Sequence, residues 1–217
     1  APMPLGFDEI IMHWPIGAAL SEANIQDFPR ILMASFFVED HLFPVGNFVS
    51  YLIYSSEYDP ITAISITTKF LYFAWLFATI ILLKSLYSDK TKIILAIGLI
   101  ISNQALIFNN STYWIVMNLV MLFSVLTIFF ITKYILTKKT KFLICAFPFM
   151  VLGTFSFETF FASYSLILLF SVYKIYLLDD TKKNKLLTLI KVSLALAMAL
   201  ISYLILHYIQ FGTILPS

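Results

Sequence analysis

Six apolar runs follow one another along the chain at residues 61–83, 93–108, 113–136, 142–157, 160–178 and 186–209, separated by short polar turns. A hydrocarbon core about 30 Å thick takes roughly 20 apolar residues to cross as a helix. The pattern predicts six transmembrane helices. The second and fourth runs are short. Both adjoin a turn without a base, so the expectation is that they stop below that surface and leave a water-filled recess. Irregular backbone at such depth is tolerated where protein or water covers it.

The first sixty residues read differently. Their longest uncharged apolar stretch before Leu42 is residues 31–38, too short to span. Ser21-Glu22 and Gln26-Asp27-Phe28-Pro29 look like helix starts, a cap followed by proline in the first turn. Apolar residues then recur at helical spacing, as Ile31, Leu32 and Phe36, and earlier as Ile10, Ile11 and Trp14. This predicts two or three amphipathic helices lying on a membrane surface.

Charge orients the layout. Residues 1–60 hold eight of the twelve acids and one base, Arg30. The lysines follow in three clusters, Lys84/Lys90/Lys92, Lys138/Lys139/Lys141 and Lys182/Lys183/Lys185, after the first, third and fifth runs. The turns after the second and fourth runs, Asn109-Asn110-Ser111-Thr112 and the stretch around Glu158, carry no base. Basic turns mark the cytoplasmic side. Residues 1–60 and 210–217 are therefore expected outside, and 61–217 form a six-span bundle. The fold class is all-α, a polytopic transmembrane bundle with amphipathic helices in an extracytoplasmic loop. Composition agrees: 60% of residues are hydrophobic, 12% are charged and the mean hydropathy is +0.91. One cysteine, Cys145, excludes a disulfide framework within the chain. The six glycines form neither a phosphate-binding glycine–lysine loop nor a dinucleotide fingerprint, so soluble nucleotide chemistry has no support and no nucleic-acid partner is expected.

Two acidic groups interrupt the apolar pattern of the first segment. Asp8-Glu9 follows Pro4-Leu5-Gly6-Phe7, and Glu39-Asp40-His41 precedes Leu42-Phe43-Pro44. Both are read as adjacent acids in short turns beside apolar residues, where partial desolvation raises a carboxylate towards useful basicity. His13 and His41 share the same membrane-proximal loop. Asp40-His41 alone is a weak metal signal, because no second ligand stands at helical spacing. Lys69 falls in the outer half of the first run, where a charge is costly and often functional. Glu158 falls at the outer mouth of the fourth and fifth runs.

The stretch Asp40-His41-Leu42-Phe43-Pro44-Val45-Gly46-Asn47-Phe48, followed by Asp59-Pro60 and Ile66-Thr67-Thr68-Lys69-Phe70-Leu71, resembles the first-loop region of the GT-C glycosyltransferases. These are multi-span enzymes that use polyprenyl-phosphate-linked sugars, the protein O-mannosyltransferases among them. Asp8-Glu9 resembles the early acidic pair of that superfamily, and His41-Leu42-Phe43-Pro44 its polar–aromatic–proline element, where members often carry arginine. Phe155-Ser156-Phe157-Glu158-Thr159 resembles a later Ser-Lys-Glu element, with Phe157 in place of the lysine. Phosphate wants a cation, and Lys69, His41 and Arg30 are the cations available in this part of the chain.

The resemblance implies a longer protein, with a helix before the acidic pair and further helices after the sixth span. It implies a bacterial cytoplasmic-membrane enzyme that moves a sugar from a polyprenyl-phosphate donor to an extracytoplasmic hydroxyl of a glycan, lipid or protein. Asp8 is the first choice for the base, Glu9 the second. Glu39, Asp40, His41, Lys69 and Glu158 would bind substrate. No cofactor is specified, and a divalent metal is compatible with the pattern. A transporter or lipid flippase subunit is the alternative, and it predicts polar groups near mid-membrane. A scaffold subunit is the third reading, with the acids pointing to bulk water.

Overall fold

The computed structural model describes residues 7–33, 44–102, 115–156 and 160–212. Among them the chain forms nine helices and no strand: α1 (Phe7–Glu22), α2 (Phe28–Met33), α3 (Pro44–Tyr54), α4 (Pro60–Leu86), α5 (Lys90–Ser102), α6 (Ile115–Thr137), α7 (Thr140–Thr154), α8 (Phe160–Tyr176) and α9 (Lys182–Phe211).

Local chemistry sets several boundaries. Asp59 caps α4 by accepting from the Thr62 N–H at 3.0 Å, with Pro60 in the first turn. Thr181 caps α9 through the Asn184 N–H, and Gly212 ends it at φ 74°, a left-handed conformation natural to glycine. Ser21-Glu22 does not start a helix as expected. It closes α1, and the Ser21 hydroxyl bonds back to the Ala18 carbonyl at 2.7 Å. The turn into α2 is made by Asn24, whose side-chain oxygen accepts from the N–H groups of Gln26 and Asp27, each at 2.9 Å. α2 then starts at Phe28-Pro29 as the sequence suggests.

Among the described residues, three segments are long and apolar enough to cross a membrane: Ile61–Leu86, Met117–Thr137 and Lys182–Phe211, of 26, 21 and 30 residues. At 1.5 Å per residue they measure roughly 39, 32 and 45 Å. The chain is an integral membrane protein. α7 and α8 are shorter apolar helices of 15 and 17 residues. Of the second run, the described part is α5, with 13 residues, and residues 103–108 lie outside the described set.

α6 is the hub, packed against α4, α7 and α8. Its core with α7, α8 and α9 is built from Ile131, Tyr134, Ile135, Ala146, Met150, Ile167, Val192 and Ala199. α4 and α6 run side by side in the same direction, since Ala63 and Ile64 near the start of one cluster with Ile115 and Leu119 at the start of the other. The hairpins α6–α7 and α8–α9 then put two lysine turns at one end, where the end of α4 also lies. There the Lys138 ammonium reaches Asp180 at 3.5 Å and the Thr188 hydroxyl at 2.9 Å, and the Lys185 ammonium donates to the Tyr176 carbonyl at 3.0 Å. α1, α2 and α3 pack on the opposite end.

Candidate functional site

α1 and α3 cross closely. A Cβ added to Gly17 would lie 2.5 Å from the Tyr54 Cβ and 2.6 Å from the Ser50 carbonyl oxygen. Trp14 lies against Tyr54 with ring centroids 4.8 Å apart, and Ile16 and Leu20 are buried. α2 is tied to α3 by the Asn47 amide, which donates to the Leu32 carbonyl at 2.8 Å. α3 seats this unit on the bundle. Ile53 and Val49 join Ala63 and Ile64 of α4 and Ile115 of α6, and Val45 also packs on Phe155 and Tyr203.

The short helix α7 ends beneath α3. The Val45 N–H donates to the Phe155 carbonyl at 3.3 Å, and Gly153, Thr154, Phe155 and Ser156 are all buried. Among the described residues, α3 and α9 pack on this end, where the expectation was a recess. That cover is why a 15-residue helix can stop here. Its polar groups are satisfied internally. Thr154 shares a 2.5 Å hydrogen bond with the Tyr164 hydroxyl and donates to the Met150 carbonyl at 2.8 Å, and Ser156 donates to the Leu152 carbonyl at 2.7 Å.

Asp8 and Glu9 lie in the first turn of α1, in helix and not in the short turn expected. Glu39, Asp40, His41 and Glu158 lie outside the described residues. Their described flanks meet, because Val45 follows His41 by four positions, Phe155 precedes Glu158 by three, and the two are hydrogen-bonded. The acidic pair of α1 does not share that junction. α1 runs antiparallel to α3, with Trp14 and Gly17 facing Tyr54 and Ser50, so the backbone of Asp8 and Glu9 projects past the Tyr54 end. Pro44 opens the other end of this 11-residue helix, roughly 15 Å away.

Lys69 is exposed on the stripe of α4 that also carries Ile66, Phe70, Phe73 and Phe77, the face turned away from the bundle. Its neighbour Thr68 is buried instead. Arg30 is exposed in α2 and lines a depression of about 400 Å³ with Glu22, Asn24 and Asp27. Among the described residues, no three of His, Cys, Asp and Glu are gathered to hold a metal ion.

One residue at this end escaped the sequence reading. His207 of α9 is fully buried beside Tyr203 and Phe211, with ring centroids 5.8 and 5.0 Å away, and Tyr203 in turn packs on Phe155. A histidine inside an otherwise apolar span was the available signal. Among the described residues, Thr154, Ser156 and Tyr203 are therefore buried at or beside the Val45–Phe155 junction, with His207 behind Tyr203. The sequence matches no protein-family model, no curated protein and no solved structure.

Proposed function

We propose that the chain is a GT-C-type membrane glycosyltransferase, with the acidic end extracytoplasmic and the lysine end in the cytoplasm of a bacterial cell. The observation that carries this reading is the seating of α1–α3 across the ends of α4, α6, α7 and α9, opposite the lysine turns. An enzyme drawing a lipid-linked sugar from the bilayer needs acidic and polar groups held at that boundary. The acceptor hydroxyl needs a base in the transition state, and the departing lipid phosphate needs charge stabilisation. A direct displacement with inversion uses one base and no covalent intermediate. Asp8 takes that role, with Glu9 second. Glu39, Asp40, His41 and Glu158 shape the substrate site that opens from the Val45–Phe155 junction, and Lys69 meets the donor from the lipid side.

In this reading the two acidic groups divide the work. One activates the acceptor and the other holds the donor head, unless Asp40 is itself the base. The test is transfer from a panel of polyprenyl-phosphate sugars by the purified full-length protein. Labelled sugar appearing on an extracytoplasmic acceptor supports the reading, and absence of transfer from every donor removes it.

A transporter or flippase reading keeps one specific observation. The Thr68, Thr127 and Thr132 hydroxyls and the Asn118 amide nitrogen are buried in α4 and α6 without a hydrogen-bond partner. Unsatisfied polar groups within spans are costly and mark substrate paths. Translocation of a labelled lipid without sugar transfer would favour this reading.

A further inference from the structure

At the lysine end, a groove of about 610 Å³ runs between α7 and α9. Its walls are apolar, from Leu143, Ile144 and Phe147 on one side and Leu194 and Met198 on the other, with Lys191 and Thr140 as the polar members. Ile144, Leu194 and Met198 are 67%, 57% and 47% exposed, so the groove opens to the surroundings of the bundle. In a membrane protein those surroundings are lipid.

We propose that this groove binds an anionic phospholipid of the leaflet at the lysine end, with one acyl chain between α7 and α9 and the phosphate at Lys191. The level of Lys191 is the first argument. The Lys138 ammonium bonds the Thr188 hydroxyl, which sets α9 at Thr188 level with the α6–α7 turn. Lys191 is three residues on, about 4.5 Å deeper. Its ammonium reaches the basic boundary through its own stem, which is where a phospholipid carries its phosphate. From there the groove follows the bundle to Pro148, eight residues along α7 from Thr140, or about 12 Å.

Charge complementarity is the second argument. Lys139 and Lys141 stand beside Thr140 at the mouth, and both are exposed. Basic pockets between membrane helices favour anionic headgroups. A further protein helix laid in the groove would cover Lys191 and leave its charge uncompensated in an apolar setting. A phospholipid supplies chain and counter-charge together. This inference rests on membrane insertion and not on sugar transfer.

The test uses the full chain carrying Leu194→Trp as a reporter, in phosphatidylcholine vesicles with a minor fraction of phosphatidylglycerol. Either lipid is brominated on its chains, and quenching is read as the increment over the chain without the reporter. Brominated phosphatidylglycerol should quench about fivefold more per mole than brominated phosphatidylcholine. Lys191→Gln should abolish that preference, and Lys191→Arg should keep it, with far-UV circular dichroism verifying the fold of each variant. Equal quenching by the two lipids, or a preference that survives Lys191→Gln, would overturn the assignment. So would quenching by neither lipid, the result expected of a groove filled by protein.

Discussion

Gly17→Ala probes the contact that fixes α1, and with it Asp8 and Glu9, over the bundle. The new methyl group would stand 2.5 Å from the Tyr54 Cβ and 2.6 Å from the Ser50 carbonyl oxygen. Neither atom can rotate away. Carbon atoms sit comfortably at about 3.5–4.0 Å, so the two helices must part by roughly 1 Å. Overpacking of this kind costs about 1–3 kcal/mol. Alanine in a helix recovers about 1 kcal/mol relative to glycine. The net change is therefore a loss of about 0–2 kcal/mol. Gly98 supplies the control, since no described residue comes within 4 Å of a Cβ placed there. Gly98→Ala collects the propensity gain without the clash and should be stabilising by about 1 kcal/mol. The two alanine variants should thus differ by about 1–3 kcal/mol. Unfolding of each in mixed micelles, followed by circular dichroism, measures that difference. Trp14 emission should change in Gly17→Ala, because its ring lies 4.8 Å from Tyr54. If Gly17→Ala is as stable as Gly98→Ala and Trp14 emission is unmoved, the α1–α3 crossing described here is wrong.

Reporter fusions at Ser88 and Thr181 should report cytoplasm, and one at Glu57 the exterior; an external signal at Ser88 or Thr181 overturns the orientation. Hydrogen bonds from the hydroxyl and N–H of Thr62 hold the Asp59 carboxyl below its ordinary 3.8, and hydrogen bonds from Asn184 and Thr181, with a smaller contribution from Lys138, do the same for Asp180. Depressed folded values mean that both contribute stability above pH 3.8 and lose it as pH falls through those values. Asp59→Asn combined with Asp180→Asn should lower Tm modestly at neutral pH, where both contributions are present, leave Tm unchanged in acid, and so flatten the acid limb of Tm against pH. An unchanged acid limb would show that neither carboxylate is engaged as described.

Much of the bundle was legible because membrane helices announce themselves by continuous apolarity. The runs at 61–83, 113–136, 160–178 and 186–209 match α4, α6, α8 and α9 to within about one turn, the usual uncertainty of helix ends. The run at 142–157 reads as short, and α7 likewise ends within one turn of it; what was not legible is the cover, α3 packed on Phe155 from over a hundred residues away. Ser21 looked like a cap, but the stripe of Ile16 and Leu20 carries α1 through it, and Asn24 makes the turn instead. The acids of α1 were visible as residues, while the antiparallel packing that sends them past the Tyr54 end of α3 was not. His207 was hidden by its own surroundings, since hydropathy averages a single histidine away.

The central proposal is that the protein is a glycosyltransferase whose base lies in the acidic segment. The most direct measurement is turnover with a polyprenyl-phosphate sugar by the full-length protein and its Asp8→Asn, Glu9→Gln and Asp40→Asn variants. A positioned base contributes about 10²–10⁴-fold, and an amide of the same shape cannot take the proton. Asp8→Asn should lose turnover on that scale with donor binding retained, and Glu9→Gln should lose less. Loss confined to Asp40→Asn would move the base to the other end of α3. Near-normal turnover in all three would contradict the claim that these carboxylates act in transfer.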